Sequence, residues 1–148
     1  MERALSSPRL CVNEGPFRVS SPMFAGASAP SPRTSRILVA DDDRNHRHVI
    51  GELLAEAGYE VEVTADGFEA LAAIERRPPA LLLLDLRMPN LDGFGVLERL
   101  RLTPRTFPII VVTALQDADA EVTALGAASV IIKPVSLDAL LDTVQRLL

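Results

Sequence analysis

Four short apolar stretches of the chain end in residues that could do chemistry. RILVA (36–40) is followed by Asp41, Asp42 and Asp43. PALLLL (79–84) runs into Asp85, so a carboxylate closes the greasiest part of the sequence. PIIVV (108–112) is followed by Thr113 and Ala114, and SVII (129–132) by Lys133 and Pro134. A carboxylate beside a buried run is costly unless something holds it or uses it. Carboxylates brought close together cannot all stay ionised without a counter-charge. A hard divalent cation suits such a group: Mg2+, or Mn2+ in its place, takes one or two carboxylates, keeps waters and favours a substrate phosphate as a further ligand. Lys133 is the only lysine among fifteen cationic residues, the others all being Arg. Its compact ammonium suits a phosphate oxygen better than the planar guanidinium fork does, with compositional drift as the competing reading. Thr113 offers a hydroxyl to a second oxygen, and Ala114 leaves room. No His, Cys or Ser stands at these strand ends, so the candidate nucleophile is a carboxylate, which can form an acyl phosphate.

The elements that must position these residues follow from the hydrophobic pattern. Strands are expected at 36–40, 59–64, 80–84, 108–114 and 129–133. Between and after them, apolar residues recur at helical spacing. Val49, Ile50, Leu53, Leu54 and Ala57 mark a first helix closed by Gly58. Phe68, Leu71, Ala72 and Ile74 mark a second over 66–77, and Phe94, Leu97 and Leu100 a third over 93–102. A short fourth runs over 117–126. The last, 136–148, starts at Ser136 and repeats Leu137, Leu140, Leu141, Val144 and Leu148. Strand then helix, five times, with continuous rather than alternating apolar strands, means a parallel sheet covered on both faces, a doubly wound α/β fold. Ligands of such sheets bind outside the carboxyl ends of the strands. Asp41, Asp42, Asp85, Thr113 and Lys133 would therefore share one edge.

Composition bounds the rest. The 148 residues are 48% apolar but only 4% aromatic, enough aliphatic side chain for one core. Residues 1–35 are rich in Ser, Pro, Ala and Gly without periodicity, and read as a flexible tail ahead of a domain over 36–148. The net charge of −5 divides into +3 for residues 1–36 and −8 for the remainder. A domain that acidic does not bind nucleic acid by general electrostatics. No apolar run approaches the ~20 residues of a membrane span, and no signal peptide is visible. Cys11 alone forms no internal disulfide and reads as a bystander in the tail, which with the rest suggests a cytoplasmic chain.

At the same strand ends the sequence resembles a known family. ILVADDD, LLLLDLRMPNLDG, PIIVVTA and VIIKP are similar, in order, to the receiver domain of two-component response regulators, over residues 36–148. The resemblance implies a flavodoxin-like strand order 2-1-3-4-5. It implies Asp85 as phosphoacceptor, Asp42 and, largely through water, Asp41 as Mg2+ ligands, and the backbone carbonyl of Arg87 as a further one. Thr113 and Lys133 would bind phosphoryl oxygens, and the Lys133–Pro134 bond would be cis. The partners implied are a sensor histidine kinase or histidine phosphotransfer protein upstream. Downstream, a target would read the face made by helix 4, strand 5 and helix 5. The expected protein is a stand-alone signalling module, not an enzyme beyond its own phosphorylation and dephosphorylation, and a monomer or weak phosphorylation-dependent dimer. Two positions depart from the family: Val130 stands where Tyr or Phe is usual three residues before the Lys, and Val135 where Phe follows the Pro.

Other readings compete. Asp43 and Asp92 are expected to cap helices, His46 and His48 to lie on the surface, and Asp117, Asp119 and Glu121 to complement a helix dipole. A phosphatase with an Asp nucleophile would want a second acid at position 87, where Arg stands. A nucleotide site of the G-x-G-x-x-G kind is not present after strand 1. The alternative that stays open is a receiver-fold scaffold or phosphate sink that binds proteins without a conformational switch, which Val130 keeps in play.

Overall fold

The computed structural model describes residues 35–148; the expected tail and Cys11 lie outside the described residues. The chain alternates β1 (Arg36–Ala40), α1 (Arg44–Glu56), β2 (Glu60–Thr64), α2 (Gly67–Arg76), β3 (Leu81–Asp85), α3 (Gly93–Leu100), β4 (Ile109–Thr113), α4 (Asp119–Ala124), β5 (Ser129–Ile132) and α5 (Leu137–Leu147). The five strands form one sheet in the order β2-β1-β3-β4-β5, every pair parallel. Both the doubly wound class and the strand order expected from the sequence are present.

Side chains of a strand alternate between its faces, and each face here has its own core. Ile37, Val39, Leu81, Leu83, Ile110 and Val112 pack with Ile50 and Leu54 of α1 and Leu140 and Val144 of α5. Leu38, Ala40, Leu82, Leu84, Ile109 and Val111 pack on the other face with Ala70 and Ala73 of α2, Val96, Leu97 and Leu100 of α3, and Val122 of α4. Every residue of β1, β3 and β4 is buried, whereas the edge strands β2 and β5 are only partly covered. Among the described residues no helix is long and apolar enough to cross a membrane.

Helices α1, α2, α3 and α5 start where the sequence offers side-chain acceptors for their free N–H groups, whereas α4 starts at Ala118 without one. Asp43 accepts from the amides of Asn45 and His46, Asp92 from Gly95, and Ser136 from Ala139. At α2 the cap is reciprocal: Asp66 accepts from the Glu69 amide while the Glu69 carboxylate accepts from the Ala65 amide. Asp119 and Glu121 lie in the first turn of α4, as expected, whereas Asp117, expected with them, precedes the helix.

The helix faces needed correction. Val49 and Ala57 of α1 are exposed, and Ile50 and Leu54 carry its burial. In α2 the buried residues are Gly67, Ala70 and Ala73. Phe68 is 49% exposed, with the Arg99 guanidinium 5.3 Å above its ring. Gly67 lets the start of α2 approach α3 and the loop before it closely. A Cβ on Gly67 would come within 2.3 Å of the Leu91 carbonyl oxygen, so a larger residue has no room there.

Candidate functional site

The carboxyl ends of β1, β3, β4 and β5 bring the sequence candidates together. Carboxylate oxygens of Asp41, Asp42 and Asp85 all lie within 4.8 Å of one another. Asp41 directly follows β1, and its amide donates to the Thr64 carbonyl, extending the pairing with β2. Asp85 is the last residue of β3, not the first after it. Asp41 and Asp85 are buried, 3% and 4% exposed, whereas Asp42 faces solvent.

Lys133 reaches in from the opposite side of the cluster. Its Nζ is 3.1 Å from Asp85 Oδ2 and 3.7 Å from Asp41 Oδ2. Its own amide donates to the Thr113 carbonyl at 2.7 Å, which seats the lysine against the end of β4. The following peptide bond to Pro134 is cis, as expected. Thr113 is fully buried, and its Oγ1 accepts from the Leu115 amide at 3.0 Å, so the hydroxyl proton is free for another acceptor. Ala114 beside it is exposed. The Arg87 backbone N–H donates to Asp85 Oδ1 at 3.2 Å, and the Arg87 side chain is exposed.

The charges compete in a way that sets each group apart. At Asp85, burial pushes the carboxyl up, and the Asp41 charge adds to it. The hydrogen bond from Lys133 and the Arg87 amide only partly offset them, so the group sits above the ordinary range. Burial also opposes ionisation of Asp41, but the His46 hydrogen bond, the Asp43 amide and Lys133 together hold its carboxyl below that range. Lys133 is raised: burial works against its charge, and the Asp85 hydrogen bond with the Asp85, Asp41 and Asp43 charges outweighs it. Asp85 and Lys133 therefore both move up, because each is governed by more than its partner. Three carboxylates share one ammonium here, and the remaining charge deficit is what a divalent cation corrects. The all-oxygen donor set suits Mg2+ or Mn2+.

One neighbour was missed. His46, expected on the surface, is half-buried in the first turn of α1, with its Nδ1 on Asp41 Oδ2. The Asp43 cap starts α1 at Arg44, soon after β1 ends at Ala40, which keeps its first turn close to Asp41. His48 is exposed and pairs only with Glu52, as a surface residue would. Asp66, the cap of α2, also accepts from Asn90 Nδ2 at 2.8 Å. That bond ties α2 to the loop that follows Asp85, at a point where Asn90 has φ of 68°.

Comparison with known proteins bears on the family and the fold. The model for the response regulator receiver domain matches residues 37–145. Response regulator MprA of Mycobacterium leprae is 42% identical over 115 residues, covering 76% of this chain and 50% of that protein. The chain spans about half the length of the curated relatives it matches. Among solved structures, chemotaxis response regulator CheY4 of Vibrio cholerae superposes with a TM-score of 0.73 at 32% identity, over 78% of this chain and all of that one. The receiver domain of Francisella response regulator 1452 gives a TM-score of 0.74 at 33% identity, over 77% and 96%.

Proposed function

We propose, for a chain that belongs to the response regulator receiver domain family of two-component systems, that Asp85 is the residue that accepts the phosphoryl group. The supporting observation is its position: a buried carboxylate held above the ordinary range, contacted at once by Lys133 and the Arg87 amide and flanked by Asp41 and Asp42. The donor is a phosphohistidine on a sensor histidine kinase or a histidine phosphotransfer protein. An Asp85 oxygen bonds to phosphorus as the phosphorus–nitrogen bond breaks, and the imidazole leaves. The product is an acyl phosphate, which water later hydrolyses.

Each neighbour has a part in that step. The Arg87 amide pins Asp85 Oδ1 and so fixes the direction in which the carboxylate faces. Lys133 exchanges its contact with Asp85 Oδ2 for a phosphoryl oxygen, keeping a charge-assisted bond throughout. The Thr113 hydroxyl donates to another phosphoryl oxygen, and exposed Ala114 leaves the approach open. Asp41, Asp42 and Asp85, with the Arg87 carbonyl, would hold Mg2+, which when bound offsets the negative charge of a phosphoryl group entering among carboxylates.

The signal leaves by the α4–β5–α5 face toward a downstream protein in the cytoplasm. Val130 is half-buried and packed against the core that holds Ala118 and Val122. With neither ring nor hydroxyl to move, it passes the readout to Thr113 and the loop from 114 to 118. Mass spectrometry of the intact protein with acetyl phosphate tests the assignment. One added phosphoryl group is expected with Mg2+, none with EDTA, and none for Asp85→Asn in either case. Full labelling of Asp85→Asn would place the nucleophile elsewhere.

A further inference from the structure

We propose that His46 is a positioning residue for the metal site, its imidazole holding the Asp41 carboxylate in the orientation from which Asp41, or water bound to it, meets the cation. The inference rests on the reading of Asp41, Asp42 and Asp85 as the metal-holding set. Both Asp41 oxygens are engaged. Oδ1 accepts from the Asp43 amide at 2.9 Å, and Oδ2 faces His46 Nδ1 and, at 3.7 Å, Lys133 Nζ. The Asp41 carbonyl in turn accepts from Arg47 Nη1 at 2.9 Å. A carboxylate has no proton to give, so the Nδ1 side of the ring is the donor.

These partners differ in permanence. Lys133 is shared with Asp85 and, in the reaction above, moves to a phosphoryl oxygen. The Asp43 amide fixes one oxygen but leaves the carboxylate free to swing about it. His46 supplies the second fixed point, from a helix whose first turn is locked by the Asp43 cap. Its ring lies outside the group of ligand atoms that converge within 4.8 Å, so it acts on the ligand and not on the ion. Groups of this kind commonly govern metal affinity about 10–100-fold.

Binding of Mn2+ to the full chain, followed by loss of the free-ion EPR signal and competed with Mg2+, tests the proposal at a single pH. His46→Leu removes the donor, and its dissociation constant is expected to rise about 10-fold. His46→Asn places an amide nitrogen near the position of Nδ1 and should recover most of that loss. Urea midpoints in EDTA monitor the fold separately, and a packing role alone would lower both midpoints without separating the two variants in affinity. Wild-type affinity in His46→Leu, or equal weakening in both variants, would overturn the inference and leave the metal reading intact. A wild-type protein that takes up neither ion would overturn both.

Discussion

Gly51 and Gly93 both lie in helices with ordinary backbone angles, yet alanine at these two positions should move stability in opposite directions. An ideal Cβ on Gly51, in the middle of α1, meets nothing closer than Val61 Cγ1 and Val63 Cγ1, each at 3.9 Å. That is a comfortable contact, and removing a helix-interior glycine stabilises by about 0.5–1 kcal/mol. A Cβ on Gly93 lands 2.5 Å from the Asp85 carbonyl oxygen, 2.7 Å from Leu86 Cα and 2.9 Å from Leu86 Cδ2. Carbon atoms prefer about 3.5 Å or more, so α3 and the end of β3 must part by about 0.8 Å. Two of the three obstacles are backbone and cannot rotate away. The separation also strains the bond from the Gly93 amide to the Leu86 carbonyl, now 3.0 Å. Overpacking of this kind costs about 1–3 kcal/mol. At roughly 4 °C per kcal/mol for a domain of this size, Gly51→Ala should raise Tm by about 2–4 °C and Gly93→Ala lower it by about 4–12 °C. Urea midpoints provide a second measure. Because the clash falls on Asp85 itself, phosphorylation by acetyl phosphate should also slow in Gly93→Ala and stay unchanged in Gly51→Ala. A Gly93→Ala protein as stable and as fast as wild type would refute the view that α3 is seated by contact with the backbone of Asp85.

Lys133→Arg is expected to slow phosphorylation although the charge is kept, because a planar fork replaces a point charge 3.1 Å from Asp85; wild-type rates in a stopped assay would refute this. The exposed Arg87 side chain, two residues after Asp85, is expected to shield an acyl phosphate formed on Asp85 from in-line water, so loss of phosphate from purified protein should quicken in Arg87→Ala. Asp66 is held below the ordinary carboxyl range by the Glu69 amide first, then by Asn90 and the Phe68 amide. Its depressed value means that its contribution is fully present above the unfolded carboxyl value of about 3.9 and is lost as pH falls through the lower folded value. Urea midpoints measured across that acid window should fall less steeply for Asp66→Asn than for wild type, and identical slopes would remove Asp66 from the account.

Much of this was readable from residues alone, and the gaps have physical causes. LLLL and IIVV are apolar on successive positions, which only a strand covered on both faces tolerates, so β3 and β4 announced both themselves and the parallel sheet. Asp43, Asp66, Asp92 and Ser136 stand where a helix must begin and each caps one. The site followed because strand ends in such a sheet share an edge. Helix faces were less readable. In α2 the eye goes to Phe68, but the fully buried positions are Gly67, pressed against Leu91 and Val96, together with Ala70 and Ala73, and the aromatic turns outward onto Arg99. The contact between Asp41 and His46 spans five residues across a strand, a cap and a helix turn, and no periodicity encodes it. Arg36 was also hidden. It is 5% exposed at the start of β1 and bonds Glu62 at 2.5 Å, which in turn bonds Arg76. The register that pairs Arg36 with Glu60 puts Glu62 on the same face one step along, but the register itself is a tertiary fact.

The sheet that carries Asp85 is also a partition. Leu83 and Leu84 are bonded neighbours, yet one belongs to the core under α1 and α5 and the other to the core under α2, α3 and α4. Through the body of β3 the two halves of the protein have separate interiors, each able to settle its packing without consulting the other. Only at the rim do they have common business. There Asp41 leads into α1, Asp85 into the loop before α3, Thr113 into the loop before α4, and Lys133 into α5. A charge set down at that rim is like a hand placed on the hinge side of two doors. It is the one place from which a single small displacement can be felt in both rooms, which makes the edge of the partition, and not either interior, the place where a protein built this way can be addressed.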